Sequence, residues 1–95
     1  MAAVYLIHLE KPFGHAQHYI GWAERLDARI SHHKAGSGAL FLRKVNEAGI
    51  PWTVVRTWSN QTRTFERWLK NLKKAKLICP VCNPTTYQKN GIGKA

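Results

Sequence analysis

The apolar residues of this chain follow two different spacings, which predict strands and helices in a definite order. Residues 3–9, AVYLIHL, form a continuous run of β-favouring side chains before a turn-type cluster at residues 11–14. This run predicts a buried strand. A second strand is predicted over residues 18–23, joined to the first by a connection longer than a two-residue turn. The two strands should pair as an antiparallel hairpin.

The spacing then becomes helical over residues 24–34. Leu26, Ile30 and His33 recur at positions i, i+4 and i+7, which places them on one face of a helix. Arg29 falls on the same apolar stripe. We therefore expect an arginine and a histidine to face the interior of the protein.

Three further elements are predicted in the rest of the globular part. Residues 39–48 indicate a short amphipathic helix, and residues 51–58 a strand of β-branched and aromatic side chains. A last helix is predicted from about residue 61 to residue 75, capped by Ser59 or Asn60. Its predicted apolar stripe comprises Phe65, Leu69 and Leu72, with Trp68 beside it.

This order predicts an α+β domain with a three-stranded, mostly antiparallel sheet flanked by helices, in the order β-β-α-α-β-α. A chain of 95 residues is long enough for one hydrophobic core. We assign residues 1–78 to this domain. Residues 79–95 contain a CPVC segment and then, beyond Cys82, a tail rich in turn-type residues that is expected to be flexible unless a ligand or partner orders it.

The charge of the chain indicates an acidic partner. Fifteen Lys and Arg residues stand against five Asp and Glu residues, which gives a formal net charge of +10. Such a field attracts nucleic acids or acidic lipid surfaces. No apolar run approaches the roughly 20 residues of a membrane-spanning helix, and the N-terminus lacks a basic leader. We expect a cytoplasmic protein that binds nucleic acid and no membrane.

Carboxylates are scarce in this sequence, and Glu66 is the sole acidic residue after Gly49. A single carboxylate argues against a two-metal carboxylate cluster and favours a single-metal site. The structural alternative is an ion pair between Glu66 and Lys70 at i+4.

Arg29, His33 and the two strand tyrosines, Tyr5 and Tyr19, could carry chemistry. An inward-facing arginine can bind phosphate through two N–H groups, and a histidine can transfer a proton. The alternatives are structural: an arginine that reaches the helix edge, a hydrogen-bonded core histidine and two packed tyrosines.

These residues occur in a pattern that resembles the GIY-YIG nuclease family. The second tyrosine signature is intact as His18-Tyr19-Ile20-Gly21, and Arg29 follows Tyr19 by ten residues and precedes His33 by four. The first signature is degenerate and reads Val4-Tyr5-Leu6-Ile7. The resemblance covers roughly residues 3–76.

The resemblance implies a metal-dependent endonuclease that hydrolyses phosphodiester bonds in DNA. Such an enzyme would recognise the structure or the backbone of the DNA rather than a long base sequence. It would act in DNA repair or recombination. It implies one Mg²⁺ or Mn²⁺ ion bound by Glu66, a phosphate clamp at Arg29, and Tyr5, Tyr19 and His33 around the attacking water. Candidate substrate-binding residues are Lys34, Lys70, Lys73 and Lys74. RNA stays open as a substrate, and we expect a monomer or a weak homodimer.

The sequence departs from the family pattern at three places. Val4 replaces a glycine, and Trp22 replaces a lysine that many members carry. Many members also place an asparagine beyond the glutamate helix, for which Asn71 and Asn83 are the candidates. His15 and His18, near the first hairpin turn, are interpreted as surface residues.

Cys79 and Cys82 are spaced as CPVC, and two thiols alone do not complete a zinc site. They form either an unmetallated reduced pair or half of a structural Zn²⁺ site completed by a nearby histidine or a second chain.

Three rival functions are compatible with the sequence. One is a non-catalytic nucleic-acid-binding module with the same fold, which would bind without metal-dependent cleavage. Another is an HNH-type nuclease that pairs His32 or His33 with Asn46, although no histidine follows His33 to complete its metal site. The third is a zinc-binding interaction protein, which leaves the arrangement of Tyr19, Arg29 and His33 unexplained.

Overall fold

The chain folds as a three-stranded antiparallel sheet with helices on both faces, which confirms the predicted α+β class. The computed structural model describes residues 2–82. In chain order its elements are β1 (Ala3–Phe13), β2 (Ala16–Ala23), α1 (Leu26–Ala35), α2 (Leu40–Glu47), β3 (Trp52–Ser59), α3 (Arg63–Leu72) and the one-turn helix α4 (Ala75–Ile78).

β1 is the central strand, with β2 on one side and β3 on the other. Its first seven residues are all buried. Because side chains alternate along a strand, Tyr5 and Ile7 enter the core cluster shared with α1 and α2, whereas Val4 and Leu6 enter the cluster shared with α3 and α4. This central position explains the uninterrupted apolar run at residues 3–9.

The hairpin between β1 and β2 is tighter than the sequence suggested. Phe13 pairs with Ala16, so Gly14 and His15 alone form the turn, and the predicted longer connection is wrong. Gly14 has φ +64, a conformation that favours glycine. Pro12 is tolerated because β3 pairs with β1 only as far as Leu9, which leaves the end of β1 without a neighbour on that side.

α3 is shorter than predicted, and its N-cap differs. The cap is Thr62, whose Oγ1 accepts a hydrogen bond of 3.2 Å from the backbone N–H of Phe65. Ser59 still belongs to β3, and Asn60 adopts φ +59 between strand and helix, so neither is the predicted cap. The helix ends at Leu72 because Lys73 is left-handed, with φ +54.

The apolar stripe of α3 is narrower than expected. Leu69 is buried, but Trp68 is 54% exposed and Leu72 is 37% exposed. Ala75 and Ile78 of α4 pack against the same core cluster instead. The break after Leu72 therefore replaces a long predicted helix by two short ones.

Within residues 2–82, no helix combines the length and the apolar content needed to cross a bilayer. The expected flexible tail from residue 83 onward, including Asn83, lies outside the described residues.

Candidate functional site

The structure brings the five predicted catalytic residues together around the hydroxyl of Tyr5. Tyr5 Oη lies 2.7 Å from His33 Nε2, and the Tyr19 ring centroid lies 6.2 Å from that of Tyr5. The charge of Arg29 lowers the pKa of this hydroxyl, and the charge of Glu66 raises it. These residues come from β1, β2, α1 and α3, so only the folded chain assembles them.

Gly21 allows the Tyr5 ring to lie across β2. The two residues are direct cross-strand partners, and an ideal Cβ on Gly21 would lie 2.4 Å from both Cζ and Oη of Tyr5. A comparable close approach occurs between Gly38 and His33, where such a Cβ would lie 2.2 Å from His33 Nδ1. Because neither glycine has a side chain, Gly21 leaves space for the Tyr5 ring and Gly38 leaves space for the His33 ring.

Asn46 holds the end of α1 in place. Its Nδ2 donates a 2.8 Å hydrogen bond to the carbonyl oxygen of His33, and its Oδ1 accepts one of 2.8 Å from Nε1 of Trp52. Both ends of the amide are therefore used in packing α1 against α2 and β3. This structural role differs from the one that an HNH-type site requires.

The hydrogen bonds of His33 define which nitrogen carries its proton. The backbone N–H of Ala39 donates to Nδ1 over 3.3 Å, so Nδ1 acts as an acceptor. Burial, followed by the charge of Arg29, lowers the pKa of His33 from 6.5 to about 4. At neutral pH the ring is therefore neutral with its proton on Nε2, which donates to Tyr5 Oη.

Tyr5 is protonated at neutral pH. Burial, followed by the proximity of Tyr19, raises the pKa of Tyr5 from 10.0 to about 12, against the opposing effects of Arg29. The oxygen accepts a hydrogen bond from His33, so its own proton must point away from that ring. This donor and the nearby charge of Arg29 would stabilise a phenolate at this position.

Arg29 carries an unusual buried donor. Its Nε is buried and has no hydrogen-bond partner among residues 2–82. A guanidinium N–H without a partner is costly to bury. The side chain also borders a shallow pocket of about 220 Å³, together with Arg25 and His32. An anion in this pocket would lie beside the positive charges of Arg25 and Arg29.

Glu66 lies in the first turns of α3, and its side chain is 17% exposed. Lys70 Nζ lies 3.2 Å from its Oε2, so the ion pair expected at i+4 is present. Lys70 Nζ also lies 5.8 Å from the Tyr19 ring centroid. These contacts place the carboxylate and this lysine beside the tyrosines.

A groove of about 580 Å³ lies beside Tyr19, between β2, α2 and α3. Two of the four predicted substrate-binding lysines, Lys70 and Lys73, line it. Lys74 is exposed at the start of α4. Lys34 instead lies over the Trp52 ring, 4.5 Å from its centroid, and lines a separate pocket.

The two residues that replace those of the family pattern, Val4 and Trp22, are packed into the fold. Val4 is fully buried in the sheet core. The indole N–H of Trp22 donates a 2.8 Å hydrogen bond to the carbonyl oxygen of Gln61, and the guanidinium of Arg63 lies 4.4 Å from the ring centroid. Asn71 is exposed.

A second polar cluster lies on the other face of the sheet and comprises His8, His18, Cys79 and Cys82. One ligand atom from each residue lies within 4.8 Å of the other three, so the cluster could hold a metal ion. Cys79 is fully buried and His8 is 9% exposed, and neither cysteine forms a disulfide. The interpretation of His18 as a surface residue is wrong, because this half-buried side chain belongs to the cluster.

His8 is not a predicted site residue. It is a single polar residue within an apolar strand, which by itself usually indicates a hydrogen-bonded core residue. The informative signal is the register of the hairpin, because His8 pairs directly with His18. That pairing places two imidazoles on one face of the sheet, opposite the CPVC segment.

Comparisons of this chain with protein-family models, with curated proteins and with solved structures gave no match.

Proposed function

We propose that this protein is a metal-dependent nuclease of the GIY-YIG type, which hydrolyses phosphodiester bonds in DNA. The observation that supports it best is the meeting of Tyr5, Arg29, His33 and Glu66, with a buried Arg29 Nε that lacks a partner within residues 2–82. A phosphodiester anion would pair with the positive charge of the Arg29 guanidinium. Tyr19 packs beside Tyr5 and lines the groove.

In this proposal Arg29 binds a non-bridging phosphate oxygen and stabilises the charge of the pentacovalent transition state. Tyr5 takes a proton from the attacking water in its phenolate form, which it reaches by first releasing its own hydroxyl proton to solvent. The hydrogen bond donated by His33 Nε2–H and the positive charge of Arg29 stabilise that phenolate. His33 thus positions Tyr5 and supports its base form, and it exchanges no proton itself at neutral pH.

Glu66 is the residue that would hold a divalent ion. It offers a hard, partly exposed carboxylate, and one carboxylate completed by water suits Mg²⁺ or Mn²⁺. Such an ion supplies Lewis-acid polarisation of the scissile phosphate. Lys70 must release its ion pair with Glu66 for this to happen, and it then becomes available to a phosphate in the groove.

The substrate is proposed to lie along the groove that Lys70 and Lys73 line, held mainly by its phosphates. A domain of this size has little surface for reading bases, so we propose recognition of backbone or DNA structure. A role in DNA repair or recombination follows from that preference.

The test is cleavage of labelled single-stranded, duplex and branched DNA with Mg²⁺, Mn²⁺ or EDTA. Wild type is compared with Glu66→Ala and with Glu47→Ala, a matched control because Glu47 also forms an i,i+4 ion pair, with Arg43 at 3.6 Å. The proposal expects metal-dependent cleavage that Glu66→Ala abolishes and Glu47→Ala retains. DNA binding should survive both substitutions.

Two results would contradict the proposal. Full activity in Glu66→Ala would remove the assigned site. Binding to DNA without cleavage of any substrate would identify the alternative, a non-catalytic nucleic-acid-binding module. The same series with an RNA strand tests whether RNA is also cut.

A further inference from the structure

The four ligand atoms of the His8/His18/Cys79/Cys82 cluster have the spacing of a tetrahedron around zinc. Zn–N distances of about 2.0–2.1 Å and Zn–S distances of about 2.3 Å give tetrahedral edges of about 3.4 Å for N–N and about 3.6 Å for N–S. Here His8 Nδ1 and His18 Nε2 are 3.4 Å apart. Three of the four N–S separations are 3.5, 3.6 and 3.7 Å, and all four ligand atoms lie within 4.8 Å of one another.

Hydrogen bonding alone does not account for this arrangement. His8 Nδ1 lies within 3.7 Å of three heteroatoms, from His18, Cys79 and Cys82. An imidazole nitrogen has one lone pair or one proton, so it can serve only one of them well. A cation at the centre of the cluster would serve all four ligand atoms at once. We propose that His8, His18, Cys79 and Cys82 bind one structural Zn²⁺ ion.

The ligand types select the metal. Two thiolates and two imidazoles in a tetrahedron suit zinc, whereas magnesium, manganese and calcium prefer oxygen ligands. Four protein ligands also close the coordination sphere, and the buried Cys79 and His8 limit access of water. A closed, shielded site of this kind is structural rather than catalytic.

The proposed ion connects parts of the chain that are far apart in sequence. It joins the β1–β2 hairpin to the segment after α4, and Cys79 follows His8 by 71 positions. Arg56 reinforces the same connection, since its Nη1 donates a 3.0 Å hydrogen bond to the carbonyl oxygen of Ile78. Zinc would thus fix α4, and with it α3, against the sheet.

This inference does not depend on nuclease activity, so its test measures metal and stability. Protein purified without added metal is analysed for metal content, and the metal-depleted protein is titrated with Co²⁺. We expect about one Zn²⁺ per chain. Bound Co²⁺ should give the intense visible bands of tetrahedral coordination together with thiolate-to-cobalt charge transfer.

Variants then test the individual ligands. His18→Ala and Cys82→Ser are preferred because both side chains are only half-buried, whereas truncating His8 or Cys79 disturbs the core. Each should lose stoichiometric zinc. His15→Ala is the matched control, since His15 is exposed in the turn of the same hairpin, and it should retain zinc. Zinc returned to depleted protein should raise Tm for wild type and His15→Ala only.

Several results would overturn the site. One is wild-type protein without stoichiometric metal whose two thiols react rapidly in the native state. Another is a Cys79–Cys82 disulfide in freshly purified protein. A third is a Co²⁺ spectrum without sulfur charge transfer, and a fourth is full zinc retention by both His18→Ala and Cys82→Ser.

Discussion

The Tyr5 hydroxyl accepts a hydrogen bond from His33 Nε2 at 2.7 Å, because the backbone N–H of Ala39 already donates to the other ring nitrogen. The direction of this bond separates the roles of the two residues. A neutral His33 that donates to Tyr5 cannot be the base at neutral pH, but it stabilises negative charge on the tyrosine oxygen. Within the proposed mechanism, Tyr5 is therefore the group closest to the proton transfer.

Because His33 is buried and neutral, we predict that the folded protein loses stability in mild acid. Its pKa is about 4 in the folded protein and 6.5 in the unfolded chain, so only the unfolded state gains a proton between these values. The contribution of His33 to the free energy of unfolding is fully present above pH 6.5. It falls as the pH drops toward 4, by roughly 3 kcal/mol in total. Urea unfolding at several pH values measures it.

The comparison for this prediction is His33→Gln against His32→Gln, the exposed neighbour. His33→Gln should be less stable at pH 7 but should lose much less stability on acidification. His32→Gln should follow wild type. Equal pH dependence in wild type and His33→Gln would contradict the assignment.

Replacement of Arg29 should remove most of the proposed catalytic rate. Arg29→Ala is expected to lower cleavage about 10²-fold or more, since it removes the charge that stabilises the transition state. Arg25→Ala is the control, because Arg25 is exposed and borders the same shallow pocket. Single-turnover cleavage rates measure both. Equal losses in the two variants would indicate general electrostatic attraction rather than a specific clamp.

A side chain at position 21 should displace Tyr5. Gly21→Ala places a Cβ only 2.4 Å from Tyr5 Oη and Cζ, so it should cost about 1–3 kcal/mol of stability and reduce cleavage strongly. The cost should be much smaller in a Tyr5→Leu background, where the ring is absent. A double-mutant cycle by urea unfolding gives the coupling. Additive effects would mean that the clash is relieved elsewhere.

The lysines of the groove should control the salt dependence of DNA binding. Lys70→Ala and Lys73→Ala should each reduce the slope of log K against log salt by about 1, since each removes one phosphate contact. Lys44→Ala, on the exposed side of α2, is the control and should leave the slope unchanged. Fluorescence anisotropy at several salt concentrations measures these slopes. Lys34→Ala tests whether the separate pocket at Trp52 also contacts DNA.

Much of the fold was predictable because strong local signals agreed with the tertiary structure. The run at residues 3–9 belongs to a central strand, and Leu26, Ile30 and His33 all contact the interior. The predictions failed where the local sequence signal was weak and tertiary packing determined the conformation. Pro12 suggested a loop but lies in the part of β1 that has no neighbour on the β3 side, and no sequence signal at Lys73 indicated a left-handed helix end.

The two polar clusters differed in how far the sequence could predict them. Arg29 and His33 lie one helical turn apart, so their shared face was evident, and the tyrosines followed from the predicted hairpin. The second cluster depends on which residues of β1 and β2 pair. The pairing of His8 with His18 could not be derived from the turn, because the register of the hairpin shifts between His8 and Phe13.

Because side chains alternate along β1, this one strand contributes a residue to each of the two clusters. Tyr5 faces α1 and α2, and three residues later His8 faces the CPVC segment. One residue inserted between them would turn either the hydroxyl or the imidazole toward the wrong layer of the protein. Point substitutions can impair one cluster at a time, but a change in the length of β1 must disrupt at least one of them, and with it the sheet pairing that both require.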